Sequence, residues 1–525
     1  MADTAQEASS RGRPAFASRL VGKNADDRAT ALAAQHPDYV TNKPSWEVLL
    51  DAFEGRGGFL DGTYLWPYPR ESATGFDERK KMARYHNYLE TLVDLYVRFI
   101  FTQGVKRDSK STGYNEWLED VDGTGTHVNE FLKRFTALSL VGGHAGMLVD
   151  KTTDEPVGPS RAEETARPIA SLFTAISVID WRFAGTGLAA VKLIEASPPL
   201  PIDEVPDPEE PTDQLLLWDE EGWARFSAKG ELLSAGTPNL GMVPFVVLRP
   251  KASHTSLMLG RPLVSNANVV CALFNRASEE DEVLRNQAFS LLTVSVDKDG
   301  DVEQAKGHVQ GVVGTARAIV VKGEIDYKTP DMNVPGAIRD NIAYLVQEMF
   351  RAAHVRFRRD SLAAESGEAI RLQYAELNEM LQGLSRALSN AETAMARAWF
   401  AWTEATPEAA QAAFEAAEPT ATYPDEFFLD SLINDLDAWA KAIEMDLGPT
   451  MTKRIKKRAA RRVDPDMTAE ELAEIDEEID GMIDEDLERQ EEVKAEIANR
   501  GGVDTGDPEA DLMRTEKLSA PEDEE

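Results

Sequence analysis

Three arginines stand within four residues in a short polar segment between two patterned helices. These are Arg356, Arg358 and Arg359, and the same segment holds Asp360, Ser361 and Glu365. A guanidinium group presents planar, paired donors that suit the oxygens of a phosphate or a carboxylate. The chemistry predicted for this segment is therefore oxyanion binding, either brief contact with nucleic-acid phosphates or ion pairing with carboxylates of a neighbouring subunit.

The two flanking helices have to position that segment. The first carries apolar residues at Ile338, Ile342, Leu345 and Met349. In the second, the apolar positions return in steps of mostly four and three: Ile370, Tyr374, Leu377, Leu381, Leu384, Leu388, Ala391, Met395 and Trp399. Such spacing keeps one narrow apolar face along a helix and predicts that both helices are packed along their lengths.

Motifs for catalysis or metal binding are lacking elsewhere. The seven histidines form no HExxH pair, and no GxxxxGK[ST] loop is present to hold a nucleotide phosphate. The turn Asp120–Gly125 resembles a calcium loop but has Phe131 where a bidentate glutamate is needed. His144 has no nucleophile or second acid in a recognisable arrangement, which favours a packed side chain. We therefore expect no catalytic residue, no bound metal and no cofactor.

Composition narrows the function classes further. The 525 residues suffice for several structural units, and the net charge of −36 opposes general binding to nucleic acid. Cys271 is the only cysteine, so an internal disulfide is excluded and a reducing compartment is expected. The first residues lack the pattern of a secretory signal, and the longest apolar stretch, 135–149, is too short for a membrane span.

The order of predicted elements indicates an α+β fold. Residues up to about 38 are small and polar and predict a flexible arm, whereas residues from 501 predict a disordered acidic tail. Helices are predicted at 46–59, 77–101, 128–140, 423–447 and from Thr468, and strands at 145–150, 172–180, 188–195, 214–218, 224–226 and 243–248. A helix from Arg261 and Pro262 to about residue 288 then leads to a β-rich insert with strands at 290–296, 311–313 and 318–321.

Several segments resemble the portal proteins of tailed bacteriophages, in a branch that carries a domain of unnamed function. They are Phe59–Tyr64, Arg84–Tyr88, Asp120–Gly125, Val243–Phe245, Gly260–Leu263 and Ser366–Ala369. The resemblance implies an α/β wing, two stem helices around a small α/β clip, a tunnel loop, a long helix and a helical crown. The corresponding ranges are 1–38 for the arm, 39–260 for the wing, 261–289 and 332–354 for the stem helices, 290–331 for the clip, 355–367 for the tunnel loop, 368–439 for the long helix and wing return, 440–500 for the crown and 501–525 for the tail.

The resemblance also implies a function without catalysis. Such proteins form a homo-oligomeric ring, usually a dodecamer, at one capsid vertex of the virion after assembly in the host cytoplasm. Double-stranded DNA passes through the ring without sequence specificity during packaging and ejection. The implied partners are the major capsid protein, the terminase, a head-tail adaptor and a scaffold, and no membrane is involved.

Site residues follow from these regions. The tunnel-loop residues named above would face the DNA channel, and the acids Glu279, Glu280, Asp281 and Glu282 would line its wall or form a solvated helix face. Lys298, Asp299, Asp301 and Glu303 of the clip would dock external partners. The crown run Lys453, Arg454, Lys456, Lys457 and Arg458 would meet packaged DNA or, as we favour, pair with the acidic helix that follows.

Two other functions remain open on the sequence. Another virion structural or adaptor protein would share the acidity and the missing catalytic motifs, but would not need a β insert between two helices. A metal-dependent DNA-processing enzyme would need clustered carboxylates at metal-ligand spacing or a phosphate loop, and neither is found.

Overall fold

The structure is a computed structural model, and the chain falls into two compact units, residues 1–427 and 428–525. The structure describes residues 14–69, 71–151, 167–196, 213–287, 291–295, 318–321, 326–328, 333–355, 367–425, 427, 441–443, 448–463, 474–485, 489 and 492. Helices and strands are both well represented there, which agrees with the predicted α+β class.

The first unit alternates helical and β segments. Its helices are α1 Ala15–Val21, α2 Ala25–Ala33, α3 Pro37–Glu54, α4 Ala73–Met82, α5 Tyr88–Phe101, α6 Thr112–Leu118, α7 Val128–Gly142, α8 Ala267–Gln287, α9 Asn333–Ala352, α10 Gly367–Thr403 and α11 Pro407–Ala417. Its strands are β1 Lys106–Asp108, β2 Ala145–Lys151, β3 Pro168–Phe173, β4 Val178–Ala184, β5 Gly187–Ala196, β6 Asp213–Asp219, β7 Trp223–Ser227, β8 Leu232–Gly236, β9 Phe245–Leu248, β10 Leu291–Ser295, β11 Ala318–Val321, β12 Asp326–Lys328 and β13 Thr420–Thr422.

The strands form four sheets among the described residues. Strands β4 to β8 make an antiparallel meander, β2 lies between β3 and β9, and β1 pairs with β13. Strand β10 lies between a parallel β11 and an antiparallel β12. The single strand predicted for 172–180 is wrong, because Thr174 to Ser177 form a turn in which the two hydroxyl groups lie 3.0 Å apart.

The main core of the first unit is helical. It joins α3, α5, α7, α8, α9 and α10 through buried side chains such as Leu49, Leu92, Phe135, Phe274 and Met349. On α10, Leu377, Leu381, Leu384, Leu388, Ala391 and Met395 are buried, which confirms the predicted apolar face over this part of the helix. The indole of Trp402 donates a hydrogen bond of 2.7 Å to the carbonyl oxygen of Val149, so α10 is fixed to the central strand β2.

The N-terminal region differs from the flexible arm predicted for residues 1–38. From residue 15 onward it forms α1 and α2, which bury Ala17 and Leu32 against Ala224 and Phe226 of β7. The ammonium of Lys192 also donates to carbonyl oxygens at the end of α2, including that of Ala34 at 2.6 Å.

Three predicted helices have different bounds. The helix expected over 77–101 is two helices, because Asn87 caps α5 by accepting from the backbone N–H of Glu90 and donates to the carbonyl oxygen of Phe53. The helix expected from residue 46 begins at Pro37 and continues through Pro44. The helix expected from Arg261 begins at Ala267, because the backbone N–H of Leu263 is bonded to Leu140 of α7 at 2.8 Å.

The predicted helix over 423–447 is wrong at its start, where Tyr423 follows strand β13. The second unit contains α12 Pro449–Val463 and a further helix, α13, at 474–485. Lys453 pairs with Asp484 and Lys457 with Asp480, so the two helices run antiparallel. We call this pair the hairpin.

Candidate functional site

The predicted tunnel-loop residues Arg356, Arg358, Arg359, Asp360, Ser361 and Glu365 lie outside the described residues, as do the clip residues Lys298, Asp299, Asp301 and Glu303. The helices on either side of the loop are described. His354, which has a left-handed backbone conformation directly after α9, contacts the carboxylate of Glu376 on α10 at 3.0 Å. This contact therefore joins the segment that follows α9 to the first third of α10.

Helices α8 and α9 pack against each other and are rooted in the main core at one end. Val270 and Phe274 of α8 and Val346 and Phe350 of α9 belong to the same apolar cluster. Farther out, Arg339 near the start of α9 hydrogen-bonds Glu280 on the last half of α8, which makes the pair antiparallel. The small sheet β10–β12 lies between these helices in sequence.

The four acids predicted for a channel wall each contact an arginine of the same chain. Glu279 pairs with Arg276 within α8, and Glu280 with Arg339. Asp281 accepts from Arg84 at 2.8 Å, and Glu282 lies 3.7 Å from Arg79.

These contacts reduce the charge that the acidic cluster shows to solvent. The side chains of Glu279, Glu280, Asp281 and Glu282 are only 22%, 19%, 27% and 37% exposed, respectively. In a single chain, these four acids therefore do not form a fully solvated helix face. Their place in a channel wall remains a prediction.

Arg79 connects α4 to α8 through a buried polar cluster. Its guanidinium makes two hydrogen bonds of 2.8 Å to Glu71, donates at 2.7 Å to the carbonyl oxygen of Trp66, and lies 4.1 Å from the ring centre of Tyr68. The hydrogen bonds from Arg79 lower the pKa of Glu71, and burial raises the pKa of Tyr68 to about 12. Beside it, a cleft of about 410 Å³ is lined by residues that include Met82, Ser278, Asp281, Glu282 and Arg285.

A second buried network fixes α10 and was not anticipated from the sequence. Arg107 of β1 donates to both oxygens of Glu392, at 2.6 and 2.9 Å, and to Asn129 of α7 at 2.6 Å. The hydroxyl of Tyr423 also donates to Glu392, and burial with this carboxylate raises the pKa of Tyr423 well above its usual value. Arg107 and Glu392 are 285 positions apart, so no local pattern could have paired them.

The basic run of α12 is partly neutralised inside the hairpin. Lys453 lies 2.7 Å from Asp484 and 3.8 Å from Asp480, and Lys457 lies 2.7 Å from Asp480. The hydrogen bond from Lys457 lowers the pKa of Asp480. These pairs are of the kind expected from the favoured interpretation, in which the basic run pairs with the following acidic helix. Of the other residues in the run, Arg454 and Arg458 are exposed and Lys456 is partly exposed.

The two weaker candidates for chemistry, His144 and the turn at Asp120, are both held by contacts within the fold. His144 is fully buried against the ring of Trp46, and burial, with the charge of Arg249, lowers its pKa to about 4. Asp120 accepts from the backbone N–H groups of Gly123 and Gly125, at 2.9 Å each, and pairs with Arg167. Among the described residues, no three metal-ligating side chains gather at one point, and no helix is long and apolar enough to cross a membrane.

Neither a protein-family model nor a curated protein matches this chain. Solved structures with a similar course of the chain come from gene transfer agent (GTA) particles. One is from the neck of an empty particle computed with C6 symmetry, with 12% identity, a TM-score of 0.37, and coverage of 68% of this chain and 86% of the other. Another, from the neck of a native particle computed with C12 symmetry, has 14% identity, a TM-score of 0.35, and coverage of 72% and 89%. A third, from the virion of a native particle, has 13% identity, a TM-score of 0.37, and coverage of 77% and 96%.

Proposed function

We propose that this chain is a portal protein. Copies of it would form a ring, a dodecamer by resemblance, at one vertex of a capsid built from the major capsid protein. Double-stranded DNA would pass through the ring during packaging and ejection. The ring would also dock the terminase and later a head-tail adaptor, and it would catalyse no reaction itself.

One observation carries the proposal. Two antiparallel helices, α8 and α9, share a core at one end, and a three-stranded sheet lies between them in sequence. The 37-residue helix α10 follows after a short connection. This is the order of stem, clip, stem and long helix that the sequence resemblance implies, and another virion structural or adaptor protein would have no need of it.

The charge distribution supports the same function. A net charge of −36 keeps the chain from holding DNA by counterion release, which suits a surface past which DNA must slide. The arginines around the α8 acids pair with those carboxylates within the same chain, so their positive charge is largely neutralised and attracts phosphates only weakly. Arg356, Arg358 and Arg359 would then be a local basic exception, suited to brief phosphate contacts or to ion pairs between subunits.

The first experiment is electron microscopy of the purified full-length chain, with mass measured in solution on the same sample. We expect rings with a central channel wide enough for duplex DNA. A compact monomer would count against the portal function, and cleavage of DNA with added Mg²⁺ would favour a metal-dependent enzyme instead.

The loop arginines can be tested separately. Changing Arg356, Arg358 and Arg359 together to Glu should leave rings intact and lower the DNA packaged per particle. Arg351→Glu is the control for reversing the charge of a nearby arginine outside the loop, because Arg351 is exposed at the end of α9 and pairs with Glu348 at 2.7 Å. Unchanged packaging in the triple variant would rule out a role of these arginines in DNA passage.

A further inference from the structure

Helix α8 lies between α4 and α9. Arg339 of α9 bonds Glu280, whereas Arg84, just after α4, bonds the next residue of α8, Asp281, at 2.8 Å. Successive residues point about 100° apart around a helix, so the two partners lie on different sides of α8. Both of these flanking regions expose large apolar side chains.

The α4 side exposes Trp66 and Met82 at two levels along α8. Trp66 is 52% exposed, although its backbone N–H donates to Asn275 and its carbonyl oxygen accepts from Arg79, both at 2.7 Å. The residue is thus held in place while its indole stays accessible. Met82 is also exposed, and its sulfur accepts from Arg285. We call Trp66, Met82 and Arg285 the Trp66 face.

Helix α9 exposes Tyr344 and Val334 at the same two levels. The helices α8 and α9 are antiparallel, and the arginine–glutamate bond between them fixes their relative level. Five residues from that bond towards the C-terminus of α9, Tyr344 lies level with Asn275 of α8. Five residues in the other direction, Val334 lies level with Arg285. Tyr344 is 57% exposed and Val334 is 42% exposed, so each has an exposed apolar counterpart on the α4 side at its own level.

Between these two levels the charges are complementary. Arg285 is exposed beside the cleft of about 410 Å³, and among the described residues its guanidinium bonds only a thioether, which is a weak acceptor. Asp340 of α9 is exposed and forms no ion pair within the described part of the chain. Helical side chains lean towards the N-terminus of their helix, so in antiparallel helices these two lean towards a common level. We call Tyr344, Val334 and Asp340 the Tyr344 face.

We propose that the Tyr344 face of one copy binds the Trp66 face of a second copy. The pairs that meet are Tyr344 with Trp66, Val334 with Met82, and Asp340 with Arg285. The two faces differ, so the contact is head-to-tail and can be repeated around a closed ring. The inference rests on the self-assembly part of the proposed function and goes beyond it by naming the surfaces that meet.

A second copy fits because the spacing of the two faces matches. Ten residues separate Tyr344 from Val334, and the Trp66 face follows the same interval along α8, about 15 Å. A partner of the Trp66 face must offer two apolar groups at this distance with a carboxylate between them. The Tyr344 face offers all three, so a copy displaced sideways, without a shift along the helices, brings every pair together.

Charge reversal in the full-length chain tests the contact. The variants are Arg285→Asp, Asp340→Arg and the double variant, with self-association measured by sedimentation over a range of concentrations and rings followed by electron microscopy. Each single reversal sets like charges across the contact and should weaken self-association by about tenfold or more. The double variant should restore it. A mixture of the two single variants should also assemble, because alternating copies place opposite charges at every contact.

The apolar part is tested by Trp66→Ala. A fixed tryptophan inside an interface contributes strongly to binding, so self-association should fall by about tenfold or more. The midpoint of unfolding of the dissociated chain should hardly change, because the indole is already accessible there. Leu233→Ala is the matched control, since Leu233 is 48% exposed on β8, outside both faces, and should leave self-association unchanged.

The control for net charge is Arg134→Asp, at an exposed position of α7. Rings that persist with equal self-association in all variants would overturn this contact and leave the portal proposal standing. Weakening by both single reversals without rescue in the double variant or the mixture would also overturn it. A wild-type chain that stays monomeric at every concentration would overturn both the contact and the portal proposal.

Discussion

Cation and carboxylate pairs occur in both units, but their burial differs. In the first unit, Arg107 and Glu392 are 13% and 2% exposed. In the hairpin, Lys457 and Asp480 are 25% and 44% exposed. Separating a buried ion pair leaves an unpaired charge inside the protein, which carries a large desolvation penalty. In an exposed pair, water and salt ions can replace either partner at little cost. The buried pairs therefore fix the architecture, and the exposed pairs contribute much less to it.

The largest effect is expected from Glu392→Gln. This change leaves the guanidinium of Arg107 buried beside a neutral side chain, and loss of one partner of a buried ion pair costs about 3–5 kcal/mol. Urea unfolding followed by circular dichroism would measure it. The control is Glu418→Gln, because Glu418 pairs with Lys110 at 2.8 Å where both side chains are about two-thirds exposed; its cost should stay below about 1 kcal/mol. An equal loss of unfolding free energy in Glu392→Gln and Glu418→Gln would show that burial does not make the Arg107–Glu392 pair more important than an exposed pair.

Burial should also create a dependence on pH at His144. Its pKa of about 4 in the folded chain lies below the usual 6.5, so the unfolded chain binds a proton first as the pH falls. Stability should therefore decline from pH 6.5 down to about 4, by roughly 3 kcal/mol in total.

His144→Gln should make that decline shallower, and His254→Gln, at an exposed position, should leave it unchanged. Asp150 acts with the opposite sign, since burial raises its pKa to about 6 and its ionisation costs stability as the pH rises. Both variants keep Asp150, so the comparison with the unmodified chain isolates His144. Parallel profiles for all three proteins would contradict the prediction.

A smaller loss is expected from Arg79→Lys. Lysine keeps the charge but loses the paired hydrogen bonds to Glu71 and the stacking on Tyr68. We expect a cost of about 2 kcal/mol, in the range of hydrogen bonds to charged groups. Arg84→Lys is the control, since Arg84 is 73% exposed where it pairs with Asp281. A loss from Arg84→Lys as large as that from Arg79→Lys would show that burial of the guanidinium does not set the cost, and no loss in either variant would show that charge alone is enough.

Sequence patterns predicted the features that depend on near neighbours. The apolar face of α10 follows from local spacing, and the pairing of the α12 lysines follows from an acidic helix only a few turns away. The helical packing of residues 15–33 was missed, because the burial of Ala17 and Leu32 depends on a sheet about 200 residues later. The start of α8 was missed because Leu263 is bonded to Leu140, and the network of Arg107 and Glu392 joins positions that only the complete fold brings together.

The smallest effect on stability is expected from Lys457→Met in the hairpin. The substitution removes the ion pair with Asp480 but keeps a long apolar side chain over the helix surface. The unfolding midpoint should shift slightly at low salt and not measurably at about 0.5 M NaCl, because an exposed pair is screened. A large, salt-independent loss of stability would mean that the hairpin pairs fix structure as the buried pairs do.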